Sequence, residues 1–460
     1  MTETVDLLIV GGGPAGLAAA VEADALGLSV LVLDEQLEPG GQIYRGIESA
    51  HQDMLTLLGG DYREGAALAQ TFRRSGAVYR PGASVWRVDE DGTIAYSCDG
   101  VGATAKGGRV LVATGAIERP APIPGWALPG VMSAGGAQVL LKSAGIVPSG
   151  HVVVAGCGPL ALLVTQQLIA AGVEVAALLE TTRFEDYMRA APHLLRALLA
   201  RDYLRKGLRM RREIRAAGVP IHSGVKNLAA VGDGRVQSVT FSRGVAQTEL
   251  SADTLLLHFG VAPNTQITRQ VFCEHEWYEP QRYWRPKRDE WGATSQDAIA
   301  VAGDGGGIDG ANAAALTGRL AALDAACRKG AIDIPERDRR AQPIRRELQN
   351  HRAVRPMLDA LFPPPKEICA PPNGDTLVCR CEEISAGDIR EAVALGAMGP
   401  NQMKAFTRCG MGPCQGRMCG LTVAELIAEA RGESVEQVGY YRIRPPIKPV
   451  TMGELAAMAE

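Results

Sequence analysis

The chain has no excess of charge that would hold a polyanion: 48 Lys and Arg stand against 51 Asp and Glu, a formal net charge of -3. Nucleic acid is therefore not an expected partner. There is no paired cysteine framework through most of the chain, where Cys98, Cys157, Cys273 and Cys327 are scattered singly. This argues against a disulfide-stapled secreted fold and for a reducing, cytoplasmic setting. No charged leader is expected, because Met1 gives way within five residues to the apolar run Val5–Val10. The longest apolar stretch, 152–179, contains Gln166, Gln167, Glu174 and a Gly-x-Gly turn, which predicts strand–helix–strand in place of a membrane span. Histidine is scarce, and His222 and His258 lie in apolar contexts expected of core or edge residues. With no Ser-His-Asp, paired-carboxylate or His-x-x-x-His pattern, no general acid or base is nominated.

What the chain does have is a concentration of thiols near its end. Six of its ten cysteines fall between Cys369 and Cys419, five of them as Cys379-Arg-Cys381 and Cys409-x4-Cys414-x4-Cys419. Two thiolates two residues apart, completed by a later pair, can grip one metal centre, so the tail reads as a zinc or iron–sulfur module.

The first ninety residues carry a dinucleotide fingerprint. Val5–Val10 reads as a buried strand, Gly11-Gly-Gly13-Pro14-Ala15-Gly16 as a tight turn, 17–26 as an Ala-rich helix stopped by Gly27, and 29–33 as a second strand ending at Asp34. Gly11 allows the turn, Gly13 admits a pyrophosphate to the backbone, and Gly16 lets helix and strand pack closely. The helix N-terminus supplies free N–H groups and a positive dipole. Asp34, 23 positions after Gly11, is placed to accept from an adenosine ribose, with Glu35 in reserve.

The unit recurs as Val152-Val-Val-Ala-Gly156-Cys-Gly158-Pro-Leu-Ala161, a helix to about Gly172, and a strand 173–179 ending at Glu180. Glu180 favours an unphosphorylated ribose, hence NAD over NADP. A second fold of this kind can equally hold another adenine nucleotide or persist as an empty scaffold.

Two further strand–turn segments follow, Arg109-Val-Leu-Val-Ala-Thr114-Gly115 and Ala298-Ile-Ala-Val-Ala-Gly303-Asp304. With these the chain resembles the two-dinucleotide-domain flavoproteins that include the pyridine nucleotide-disulfide reductases. The resemblance implies FAD in the first fold, Asp304 on the flavin's ribityl chain, and Gly40-Gly41-Gln42 running alongside it. The expected class is α/β: two Rossmann-like domains and a small helical C-terminal domain. The expected boundaries are 1–118 with 290–330 for a discontinuous FAD domain, 145–262 for the second fold, 331–375 for a charged helical stretch and Pro-rich segments that together read as a linker, 376–435 for the cysteine domain and 436–460 for a tail. No Cys-x-x-Cys or Cys-x4-Cys pair lies beside either fold, so a dithiol relay is not expected.

The cysteine domain resembles the bacterioferritin-associated-ferredoxin type of [2Fe–2S] module, whose later pair is usually Cys-x2-Cys. Its glycines Gly410, Gly412 and Gly416 would let backbone N–H groups approach bridging sulfides. Pairing Cys414 with Cys419 keeps 32 residues between the pairs, so the expected ligands are Cys379, Cys381, Cys414 and Cys419, with Cys409 as neighbour or alternative.

Across nearly its whole length the chain resembles the α (A-type) subunit of heteromeric flavin amine dehydrogenases, which include opine oxidases, D-hydroxyproline dehydrogenases, hydrogen cyanide synthase and part of the sarcosine oxidase α chain. The resemblance is carried by Gly11–Gly16 with Gly40-Gly-Gln-Ile-Tyr-Arg45, the turn Gly156–Ala161, the cysteine pattern, and Tyr441-Arg-Ile-Arg-Pro-Pro-Ile-Lys-Pro449. It implies, as partner, an FAD-containing, amine-oxidising β subunit. It also leaves room for a third, small subunit, and for peripheral membrane association through the complex. The chain would then carry electrons through flavin and [2Fe–2S]. The competing readings are a self-contained NADH-dependent flavin reductase, a glycine-oxidising hydrogen cyanide synthase component, and a structural subunit stabilised by nucleotide.

Overall fold

The computed structural model of the chain describes residues 2–458. Its first sheet takes the order Val78–Arg80, Val30–Leu33, Glu3–Val10, Val101–Val112, Thr93–Cys98, Ser84–Val88, and the late strand Ile299–Val301 adds to Val101–Val112. The strands around Glu3–Val10 are parallel, with Leu7 opposite both Val30 and Arg109. Parallel strands are covered on both faces, and side chains alternate between them. Leu7, Ile9, Val30 and Val32 face the Ala-rich helices Pro14–Ala25 and Ala311–Lys329. Those helices cross closely because residue 318 is glycine: a Cβ there would stand 2.0 Å from the Ala15 carbonyl oxygen.

The opposite face determines the architecture. Leu8, Val10, Leu31, Leu33, Val110 and Val112 belong to one continuous apolar core with Cys379, Cys409, Cys419, Leu426, Tyr441 and Ile447. The cysteine domain is thus packed onto the first sheet.

A second parallel sheet runs Ile221–Ser223, Val175–Glu180, Val152–Cys157, Thr254–Phe259, Val131–Ser133. Its strand Val131–Ser133 and the helix Ala134–Ala144 lie ahead of the expected start at 145, because a three-residue strand is too short to show periodicity.

The stretch expected as a linker at 331–375 is packed. Helix Ile334–Arg352 is charged on most faces but buries Ala341, Ile344 and Leu348, spaced i, i+3, i+7, against Leu316, Leu320 and Leu323. Arg337 and Arg345 flank the Trp291 ring at 4.0 and 4.3 Å from its centroid.

The cysteine domain begins with Leu377–Cys379 paired to Ile384–Ser385. Ser385 and Asp388 form a reciprocal capping box for helix Ala386–Ala394, and helices Pro400–Thr407 and Gly420–Arg431 follow. No helix among the described residues is long and apolar enough to cross a membrane.

Candidate functional site

The first glycine turn is built by the exclusion of side chains. A Cβ on Gly11, whose φ is +108°, would come within 2.6 Å of the Ala113 carbonyl oxygen, and one on Gly16 within 2.0 Å of the Gly11 oxygen. Pro14 opens the helix where its missing N–H costs nothing, and Ala15 packs beneath it. Gly40 N–H donates to the Gly12 oxygen at 2.8 Å, and a Cβ on Gly41 would stand 2.8 Å from Gly13 Cα, so Gly41 and Gln42 lie against the turn. Asp34 is buried; its carboxylate accepts from Gly12 N–H and, at 2.7 Å, from Gln36 N–H. Burial pushes its pKa up, and those two backbone bonds oppose the rise. Glu35 is half exposed and ion-paired with Lys448, from the chain's end.

Thr114 and Gly115 follow the strand Val101–Val112 beside this turn, and the Thr114 hydroxyl is buried without a partner. Gly305 lies against the same pair of residues. One residue before it, Asp304 is half-buried, and its Oδ1 accepts from Asp309 N–H at 2.9 Å and Gly310 N–H at 3.0 Å. Burial is the main cause of its raised pKa. A backbone cradle that Cβ atoms would fill, an orphaned hydroxyl and a half-buried carboxylate suit a dinucleotide with a polyhydroxyl chain, as FAD has. Lys142, unremarked in the sequence, closes one side. Its Nζ donates to Ile43 and Gln42 oxygens at 2.9 and 3.3 Å and to Gln138 Oε1 at 3.0 Å. Burial, then Arg45, pushes its pKa down to about 7.

The second turn has the same steric logic, since a Cβ on Gly156 would collide with the His258 oxygen at 1.7 Å; Gly158 has φ +97°. Its acid is already engaged. Glu180 accepts from Arg211 Nη1 and Nη2 at 2.6 and 2.9 Å and from Ser223 Oγ at 3.1 Å, with its side chain 5% exposed. His258 is buried beside this turn and held at Nδ1 by Glu118 Oε1 at 2.5 Å, while Glu118 Oε2 accepts from Gly135 N–H at 2.8 Å.

The cysteines form two groups. Cys379, Cys409 and Cys419 are buried, with their sulfurs all within 4.8 Å of one another. Cys381 and Cys414 meet at 3.7 Å on the more exposed side. Two thiolates about 2.3 Å from one tetrahedral metal stand roughly 3.8 Å apart, so the outer pair is spaced to share one metal atom. Of the four expected ligands, Cys379 and Cys419 are in the inner group and Cys381 and Cys414 in the outer one. Cys409, the alternative, joins the inner group. Hydrogen bonds from Cys409 and Cys419 hold the Cys379 pKa well below the usual thiol range, while the hydrogen bond to Cys379 pushes that of Cys409 up. No disulfide joins any of these thiols. Five free thiols at these spacings fit a thiolate-bound metal centre. The glycines pack tightly here: a Cβ on Gly412 would stand 2.2 Å from Cys381 Cβ, and one on Gly410 2.5 Å from the Tyr441 ring.

The profile of the pyridine nucleotide-disulphide oxidoreductase family matches residues 5–318, and that of the sarcosine oxidase A3 domain matches residues 373–459. The opine oxidase A-type subunit of Rhizobium meliloti is 44% identical over 100% of this chain and 88% of its own length. The chain belongs to this family of A-type oxidase subunits. The corresponding protein of Agrobacterium tumefaciens (strain Ach5) is 43% identical over 99% of this chain and 92% of its own. Hydrogen cyanide synthase subunit HcnB of Pseudomonas aeruginosa is 34% identical over 96% of each. Among solved structures, L-proline dehydrogenase from P. horikoshii shares the fold with a TM-score of 0.71, at 21% identity over 99% of this chain and 80% of that one. Thioredoxin reductase of T. acidophilum shares it over 71% of this chain and 99% of its own, with a TM-score of 0.52 at 19% identity. In this A-type subunit the interactions at Lys142, Arg211, Glu118 and Lys448 had no local sequence signal. Each meets at least one partner from a separate stretch of chain.

Proposed function

We propose that this A-type chain is the electron-transferring subunit of a heteromeric dehydrogenase that oxidises a secondary-amine amino acid of the opine or D-hydroxyproline type. The observation that carries the reading is the shared core: the sheet bearing the first dinucleotide turn and Cys379, Cys409 and Cys419 belong to one continuous apolar cluster. A flavin exchanges electrons in twos and singly, and an iron–sulfur centre takes one at a time. In this reading Gly11–Gly16, Gly41, Gln42, Thr114, Gly115 and Asp304 hold FAD, with Asp34 and Glu35 at its ribose. Cys379, Cys381, Cys414 and Cys419 hold a [2Fe–2S] cluster.

The amine is oxidised on a partner β subunit, so no residue here selects it. The higher identity to opine oxidase subunits than to the cyanide synthase subunit favours a secondary amine over glycine. A place in a larger complex also accords with the surface: Phe184, Leu195, Leu199 and Leu208 are each at least 70% exposed. The Glu180–Arg211 pair supports a second fold that serves as scaffold, since the acid that would receive an NAD ribose is taken. The test is to purify the chain with its partner and add secondary amines and glycine without oxygen. Loss of flavin and cluster absorbance with a secondary amine is expected. A purified complex lacking both chromophores in this chain would leave only a structural subunit.

A further inference from the structure

Beyond the flavin turn lies a cavity of about 460 Å³. Its walls come from the hairpin strands His275–Tyr278 and Tyr283–Pro286, the turn after Asp304, and helices Ile334–Arg352 and Arg355–Leu361. That volume is within the range of pockets that enclose small molecules. Four arginines line it, and three are matched to carboxylates: Arg285 with Glu276 at 2.7 Å, Arg352 with Asp309 at 2.8 Å and Arg355 with Asp359 at 2.6 Å. The two remaining acids in the lining are also engaged. Glu290 pairs with Arg345 at 3.2 Å, and Asp289 accepts from Trp291 and Ala293 N–H at 2.9 and 2.8 Å.

Arg288 is left over. Among the described residues no carboxylate lies within 4.0 Å of it, and its guanidinium makes no side-chain hydrogen bond. It is densely surrounded by protein, yet part of its surface faces the cavity. Burial, followed by the charge of Arg352, pushes its pKa down to about 10, so it stays cationic at neutral pH. The guanidinium lies against Gly306, where a Cβ would come within 2.6 Å of it. A planar fork of donors in such a place matches the oxygens of a carboxylate or phosphate.

We propose that this cavity is a binding site for a small organic anion whose carboxylate or phosphate pairs with Arg288. The site is separate from the cysteine centre, and it depends on neither the electron-transfer reading nor the identity of the amine. It adjoins the flavin turn, because Gly305 touches Thr114 and Gly115 while Gly306 touches Arg288. An anion held here would fix the turn that carries Asp304.

The experiment is a thermal-shift and calorimetric titration of the full chain with inorganic phosphate in one arm and succinate in the other, at ionic strength matched with chloride. The expected result is a saturable rise in melting temperature with at least one anion, the more effective arm identifying the head group. In Arg288→Gln the affinity should fall by roughly tenfold or more, while the variant in chloride alone melts no lower than the wild type. Arg288→Lys, which keeps charge without the fork, should retain a weakened response. The proposal is overturned if neither anion gives a saturable shift, or if the shift persists in Arg288→Gln. It is equally overturned if Arg288→Gln is already destabilised in chloride, since the guanidinium would then be committed to the fold.

Discussion

Arg211 grips Glu180 with both terminal nitrogens, at 2.6 and 2.9 Å, at the end of the strand where a dinucleotide fold ordinarily receives a ribose. The carboxylate is buried, and Ser223 supplies a further donor. Removing the cation leaves an uncompensated buried charge, a loss of about 3–5 kcal/mol in comparable pairs. Arg211→Met should therefore lower unfolding stability by several kcal/mol in denaturant titration. NADH should leave the wild-type melting temperature unchanged; a saturable rise would show that the second turn takes the nucleotide despite the ion pair.

The cysteine assignment predicts different spectra for single substitutions. Cys379→Ser and Cys419→Ser should abolish the visible absorbance and electron paramagnetic resonance of the reduced cluster. Cys409→Ser should keep both with shifted bands, since Cys409 lies against Cys379 and Cys419. Loss on replacing Cys409 with retention on replacing Cys419 would reverse the ligand set.

Lys142 makes stability depend on pH. Its pKa falls from 10.5 to about 7 in the folded chain, so between those values the unfolded state binds the extra proton. Stability should accordingly rise as pH increases from about 7 toward 10, at up to about 1.4 kcal/mol per pH unit from this group. In Lys142→Met that part of the slope should vanish in parallel denaturant titrations at pH 7 and 9. An unchanged slope would assign the pH dependence to other groups.

Asp304 and Thr114 test the flavin cradle. Asp304→Ala removes the half-buried carboxylate that also accepts from Asp309 and Gly310 N–H, so flavin content per chain should drop sharply. Thr114→Val should cause a smaller loss, because only one orphaned hydroxyl is removed. Equal flavin content in wild type and Asp304→Ala, measured on the protein as purified, would place the flavin elsewhere.

Much of this was legible in the linear chain, for identifiable reasons. Parallel strands buried on both faces read as short apolar runs, and a turn that excludes Cβ atoms must be written in glycine, as at Gly11 and Gly16. The capping box at Ser385 and Asp388 is local, with both partners within one helical turn of each other. The packing of 334–352 was obscured because three apolar residues were diluted by charge, while Arg337 and Arg345 pack on Trp291 through guanidinium planes. The spacing of cysteines placed Cys409 outside the expected four, but the folded chain sets it within the buried trio, since distance along the chain does not decide which turn of a loop points inward. Arg211 lies 31 residues beyond Glu180, and Lys448 reaches Glu35 from the far end of the chain.

The central claim is that electrons enter this chain from a partner's amine oxidation and that its second dinucleotide fold does not supply them. Anaerobic stopped-flow absorbance on the flavin of this chain tests it most directly, with NADH and a secondary amine offered in turn, with and without the partner subunit. The account predicts bleaching by the amine only when the partner is present and none by NADH. Rapid bleaching of the isolated chain by NADH would contradict it and establish a self-contained flavin reductase.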